Sequence, residues 1–155
     1  MSELASDSTT SGDASRTPWH VWVIGILALI WNSFGCVDYT MTKTHNADYL
    51  AGFTPEQIAY FDSFPWYENM FWALGVWGAL AGSVLLLMRR RHAFAAFTIS
   101  ALGLAGSTIW QFMFSDMDTK TIMPPVAQVM TVMIWAIALF LFVYSKWAVN
   151  RGWLK

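Results

Sequence analysis

The chain has 155 residues, of which 56 % are hydrophobic and 12 % are charged, and its formal net charge is −1 at pH 7. This balance excludes an ordinary soluble domain and provides no basic surface for nucleic acid. The composition is typical of a membrane protein, so the lipid bilayer is its first expected partner.

The chain begins with a polar segment, residues 1–17, that is rich in Ser, Thr and Asp and has no apolar periodicity. We predict a disordered cytoplasmic tail. Acidic rather than basic residues begin it, so it does not predict a secretory signal, and the first helix should be retained. An alternative is a lipoprotein-type site in "SFGC", with Cys36 modified; otherwise Cys36, the single cysteine, is a small packing residue.

Four apolar segments predict four transmembrane helices within a membrane domain of residues 18–150. Each segment has about 20 residues, enough to cross roughly 30 Å of hydrocarbon. The segments are uniformly apolar rather than alternating, which favours helices over a β-barrel. The expected fold is an all-α antiparallel four-helix bundle with helices at residues 19–38, 66–88, 93–114 and 126–145.

The connection between the first two spans carries its own helix-start signal. In "FTPEQIAYFDSFPWYEN", Thr54 fits an N-cap, Pro55 the first helical position and Gln57 a capping box. The pattern predicts a short amphipathic helix over residues 55–63, ended by Pro65. Two interpretations of its aromatic side chains are open: an interfacial belt, or a lid over the outer opening of the bundle.

Polar side chains from all four spans fall in the same, outer half of the predicted bundle. Intramembrane polar groups that converge indicate a binding site, so we predict a small-ligand pocket open to the outside. Each residue also has a structural alternative, such as an interhelical hydrogen bond or a contact with lipid headgroups. The candidate ligand-binding residues are Asn32, Glu68, Asn69, Gln111 and Gln128.

Small residues form a stripe on the second span and another on the third. Such stripes let two helices approach closely, and the short turn "RRRH" makes these two spans neighbours. We predict a tight seam with Glu68 and Gln111 meeting at its outer end; a second copy of the chain is the alternative partner for the stripes. The expected packing residues are Gly75, Gly78, Gly82, Ser100, Gly103 and Ser107.

The distribution of basic residues predicts the orientation. With both termini in the cytoplasm, only Lys43 and Lys120 of the nine Lys and Arg residues lie outside. Arg89, Arg90 and Arg91 then anchor a cytoplasmic hairpin, and residues 151–155 form a cytoplasmic tail.

Catalytic and metal-binding motifs are absent from the sequence: we find no metal-ligand spacing, phosphate loop or nucleophile elbow. We therefore predict no catalytic residue, metal or cofactor, and a protein that is not an enzyme. A weaker alternative is a membrane redox protein with haem between His20 and His92, which flank the inner ends of two spans.

The stretches "WNSFGCVDYTMTKT", "YLAGFTPEQIAYFDSFPW" and "WALGVWGALAGSVLLLMRRRHA" resemble a group of small four-helix bacterial membrane proteins. Members in proteobacterial genomes are usually labelled hypothetical or "sugar transporter". The resemblance runs from the first span to the start of the third and implies a location in the inner membrane. We assign no binding residue from it.

The sequence favours a non-enzymatic accessory or interaction protein, or a small-ligand binder facing the periplasm. The alternative is a small solute transporter, for a sugar for example, that works as an oligomer. Expected partners besides lipid are a second copy of the chain or another membrane protein.

Overall fold

A computed structural model describes residues 17–155, so the predicted tail, apart from Thr17, lies outside the described residues. Four helices, α1, α4, α5 and α7, are long and apolar enough to span a membrane, and residues 17–155 contain no β-strand. The predicted all-α four-helix fold is confirmed. The helices are α1 (Trp19–Lys43), α2 (Ala47–Leu50), α3 (Pro55–Asp62), α4 (Trp66–Leu87), α5 (His92–Met113), α6 (Thr119–Ile122) and α7 (Pro125–Asn150).

Two of the long helices continue past their predicted ends. α1 extends from the predicted residue 38 to Lys43, and α7 extends from residue 145 to Asn150. Polar residues such as Asp38 mark where a helix leaves hydrocarbon, but they do not stop its backbone hydrogen bonding. In α1 the side chain of Asp38 accepts a hydrogen bond from the Tyr49 hydroxyl, which ties the projecting turn to α2.

The short helix between the first two spans forms as predicted and is α3. The Thr54 hydroxyl accepts a hydrogen bond from the Gln57 amide at 3.3 Å, and the Gln57 side-chain oxygen accepts one from the Thr54 amide at 3.0 Å. This reciprocal pair is the expected capping box. Pro65 precedes the first residue of α4, so α3 is joined directly to the second span.

The closest helix pair is α4 and α5, which meet along their small residues. A Cβ atom on Gly103 would lie 2.6 Å from the backbone nitrogen of Gly75 and 2.7 Å from the carbonyl oxygen of Phe71. The Ser100 hydroxyl donates a 2.6 Å hydrogen bond to the Gly75 carbonyl. We call this contact, made by Gly75, Gly78, Ser100 and Gly103, the α4–α5 seam; it is formed within one chain.

The residues after α7 pack onto the turn between α4 and α5. The Lys155 amide donates to the Arg89 carbonyl at 2.7 Å, the Arg91 amide donates to the Lys155 carbonyl at 2.9 Å, and Leu154 is buried. The sequence predicted residues 151–155 only as a tail. We call this end of the bundle, with residues 89–91 and 151–155, the hairpin end, and the opposite end, with α3, the cap end.

The α4–α5 seam predicts that substitution by alanine destabilises the protein more at Gly103 than at Gly75. Gly103→Ala places a methyl group against the backbone of α4 and should lower the free energy of unfolding by about 1–3 kcal/mol, the usual cost of overpacking. Gly75→Ala is the matched control, because its added Cβ atom would lie 3.6 Å from the nearest backbone atom, an ordinary contact. Unfolding in detergent micelles measures both; equal effects of the two substitutions would contradict the close backbone approach.

Candidate functional site

Asn32 lies apart from the other candidate ligand-binding residues. Its side-chain amide donates to the Ser83 hydroxyl at 2.9 Å and lies 3.4 Å from the Ala79 carbonyl oxygen, both on α4. Ser83 is fully buried and in turn donates to the Ala79 carbonyl at 2.9 Å. Asn32 thus makes an interhelical hydrogen bond between α1 and α4, farther from the cap end than Glu68.

Asn69 and Gln128 lie in two further environments. The Asn69 amide donates to the carbonyl oxygens of Phe64 at 3.0 Å and Pro65 at 3.2 Å, so it stabilises the turn before α4. Gln128 is exposed on α7. Asn32, Asn69 and Gln128 thus have surroundings of their own, and the role of the five side chains in ligand binding stays a prediction.

Glu68 and Gln111 do meet, through Ser107. Glu68 is completely buried, and one of its carboxylate oxygens accepts a hydrogen bond from the Ser107 hydroxyl. The Gln111 amide group lies 3.4 Å from the same hydroxyl oxygen. The second carboxylate oxygen of Glu68, Oε2, has no hydrogen-bond partner among the described residues. The α4–α5 seam thus ends in a buried acid with one oxygen unpaired.

Aromatic rings cover the cap end of α4 and α5. The Tyr60 and Phe64 rings are 5.0 Å apart, and the Phe64 and Trp110 rings are 5.1 Å apart, measured between centroids. All three side chains are buried, and Phe61 and Trp72 pack around them. These five residues, which we call the aromatic cap, face the bundle, whereas Trp66 stays 76 % exposed.

Polar contacts hold α3 in place over the bundle. The Lys43 ammonium donates to the Phe61 carbonyl at 3.1 Å and lies 5.6 Å from the centre of the Phe64 ring. The Gln57 amide donates to the Ile122 carbonyl at 3.1 Å, joining α3 to α6. The pair between His45 and Asp62 is exposed and contributes little to stability.

Burial changes the acidity of two tyrosines outside the spans. Burial and then the nearby Glu68 charge raise the pKa of Tyr60 to about 12, although an interaction with Ser115 opposes the shift. Burial, followed by the hydrogen bond to Asp38 and its charge, raises the pKa of Tyr49 above its ordinary value.

The histidines proposed for haem have different surroundings. His20 Nδ1 lies 2.7 Å from the Tyr144 hydroxyl, and its ring contacts Trp147 and Trp153, whereas His92 is exposed. Across residues 17–155, no group of three or more His, Cys, Asp or Glu side chains could hold a metal ion.

An apolar cleft of about 400 Å³ opens between α1 and α7. These two helices touch at the hairpin end, through His20 and Tyr144, and leave the cleft beyond that contact. Uniformly apolar helices give little contrast between packed and lipid-facing sides, so the sequence does not indicate this cleft. Its lining residues are Ile24, Leu27, Ala28, Ile30, Trp31, Phe34, Ile137, Phe140 and Leu141.

Comparison of the chain with protein-family models, with curated proteins and with solved structures gives no match. The resemblance to small bacterial membrane proteins therefore stays a prediction.

The contact between Asn32 and Ser83 predicts a measurable coupling. Asn32→Leu and Ser83→Ala should each destabilise the bundle, and the double variant should lose less than the sum by about 0.6 kcal/mol, the average for hydrogen bonds between membrane helices. Unfolding of the four proteins in detergent gives this coupling. Strict additivity would show that the hydrogen bond does not stabilise the bundle.

Proposed function

We propose that this chain is a non-enzymatic accessory protein of a bacterial inner membrane that binds a transmembrane helix of another membrane protein. The observation that carries the proposal is the cleft between α1 and α7, whose lining residues are all apolar.

The packing of α7 supports lateral binding. Only 6 % of its most apolar stretch is buried within the chain, against 33 % for α5. α7 packs mainly on α5 and is fixed to it by the Trp135 indole, which donates to the Thr108 hydroxyl at 3.2 Å. Beyond the contact between His20 and Tyr144, its flank toward α1 lines the cleft, so a further helix can cover apolar side chains there without displacing a packed element.

The polar side chains support this function over the small-ligand binder and the oligomeric transporter. Three of the candidate ligand residues have surroundings of their own, and near the hairpin end the Tyr144 hydroxyl is already paired with His20. A solute path needs polar groups through the full bilayer. The lining of the cleft is apolar, so a second copy bound there would not supply such a path.

The size of the segments between spans supports a role without catalysis. Outside the four long helices, the described chain has only the short connection with α2 and α3, the segment with α6, one tight turn and the residues after α7. None is large enough to form a core of its own. The protein would then act through what its membrane helices bind.

We propose the orientation with the hairpin end in the cytoplasm and the cap end in the periplasm. The basic residues at the hairpin end support it, because short cytoplasmic loops carry an excess of Lys and Arg. They are Arg89, Arg90, Arg91, Lys146, Arg151 and Lys155.

Cysteine labelling tests the orientation. In a Cys36→Ala background, Asp48→Cys near the cap end should react with a membrane-impermeant maleimide added to intact cells, because Asp48 is exposed. His92→Cys, also at an exposed site but at the hairpin end, should react only after the membrane is broken. The reverse pattern would place the hairpin end outside.

Photocrosslinking from the cleft tests the binding of a partner helix. A photoreactive phenylalanine analogue at Phe34 or Phe140 should give one discrete band containing a second membrane protein, because both residues line the cleft. The control is the same analogue at Leu102, which is 66 % exposed on α5, outside the cleft, and should give lipid adducts only. Lipid adducts alone from all three sites would overturn the proposal, and a band containing only this chain would favour a homo-oligomer instead.

A further inference from the structure

We propose that Glu68 holds a small exchangeable cation, a proton or an alkali metal ion, beneath the aromatic cap. This inference is independent of the partner helix proposed above, because it concerns the cap end of α4 and α5 and not the α1–α7 cleft.

The burial of Glu68 is the reason to expect a bound cation. Glu68 has no exposed surface, and it is the single buried acidic or basic residue among the side chains that the structure describes. An ionised carboxylate without a counter-charge is strongly disfavoured away from water. A buried acid in a membrane protein is also a functional hypothesis by default, provided that its partner is named.

No side chain that the structure describes is paired with Glu68 as a counter-charge. Lys43, a cation at the cap end, is engaged with the Phe61 carbonyl and lies over the rings of Phe64 and Trp72. On α3, the Tyr60 phenol interacts electrostatically with Glu68. This phenol carries no charge at pH values below its raised pKa of about 12. Because no described side chain neutralises Glu68, we assign the neutralising group to the solution.

Four acidic groups near the cap end have partners of their own or lie in water. On α1, Asp38 accepts the hydrogen bond of Tyr49. On α3, Asp62 pairs with His45 and Glu56 is exposed. After α5, Asp116 is exposed. α5 itself offers Glu68 only the uncharged side chains of Ser107 and Gln111.

The two carboxylate oxygens of Glu68 have separate roles. The first accepts the Ser107 hydroxyl, which fixes the orientation of the carboxyl group on the α4–α5 seam. The second, Oε2, is buried and has no partner among the described residues. A proton needs one such oxygen, and an alkali ion binds carboxylate, hydroxyl and carbonyl oxygens together. The structure thus assigns Oε2 as the atom that takes the cation.

Access to this oxygen passes through the cap. α3 has eight residues; its Tyr60 and Phe61 side chains pack in the aromatic cap, and polar contacts join it to Lys43 and Ile122. Lifting it would expose Glu68 without separating the spans. The lid interpretation of "FTPEQIAYFDSFPWYEN" then has a definite meaning, because α3 controls exchange of the cation with the solution at the cap end.

Carbodiimide labelling of the purified full-length protein in detergent tests the proposal. Dicyclohexylcarbodiimide is an apolar reagent that adds a protonated carboxyl group across its C=N bond, the acid proton passing to nitrogen. We expect mass spectrometry of peptides to find the adduct on Glu68, with labelling falling as the pH rises from about 5 to about 9, a range that covers buried carboxyl groups. Glu68→Gln should remove the adduct.

Salt competition distinguishes the two cations. If the site takes an alkali metal ion, NaCl or KCl should protect Glu68 from labelling, whereas choline chloride at equal ionic strength should not. If it takes only a proton, the three salts should have the same effect. This arm uses the wild-type protein alone, so it does not depend on how any variant folds.

Thermal unfolding provides an independent readout. The unfolding temperature of the wild type should respond to pH or to Na⁺ or K⁺, and that response should be lost in Glu68→Gln, which keeps the shape of the side chain. Glu56→Gln, at an exposed carboxyl on the same side of the bundle, is the matched control and should behave as the wild type. Either a Glu68-specific adduct or a Glu68-dependent response supports the site; absence of both overturns it.

Discussion

The close approach of α4 and α5 is the contact on which the rest of the bundle depends. Only glycine at residue 103 lets the two backbones meet, and the Ser100 hydroxyl binds the Gly75 carbonyl across the contact. Because the two helices stay in register toward the cap end, Ser107 comes to lie against Glu68. An acid that would otherwise sit in the headgroup region is enclosed between helices.

The same packing explains why the apolar cleft and the buried Glu68 lie in separate parts of the molecule. The small residues of α4 and α5 face each other, so large side chains such as Leu102 on α5 are left on the outer surface. α7 contacts this tight pair from one side and α1 from the other. The cleft therefore opens between the two outer helices, away from the buried acid.

Much of this architecture follows from local sequence patterns. Three local patterns are visible within a few turns of helix: span length, the Thr54 capping box and the glycine spacing. They are enough to predict the four-helix fold and the proximity of Glu68 to Gln111. The direction of Asn32 could not, because one polar residue on an apolar helix does not specify which neighbour it faces. The cleft depends on interhelical angles, and the pairing of Lys155 with Arg89 joins residues distant in sequence.

The backbone pairing at the hairpin end has a consequence for the order of assembly. The carbonyl of Arg89, a residue with a positive φ of 58°, and the amide of Arg91 both pair with Lys155, which is synthesised after α5 and α7. These two hydrogen bonds of the α4–α5 turn can therefore form only once the final helix has been made.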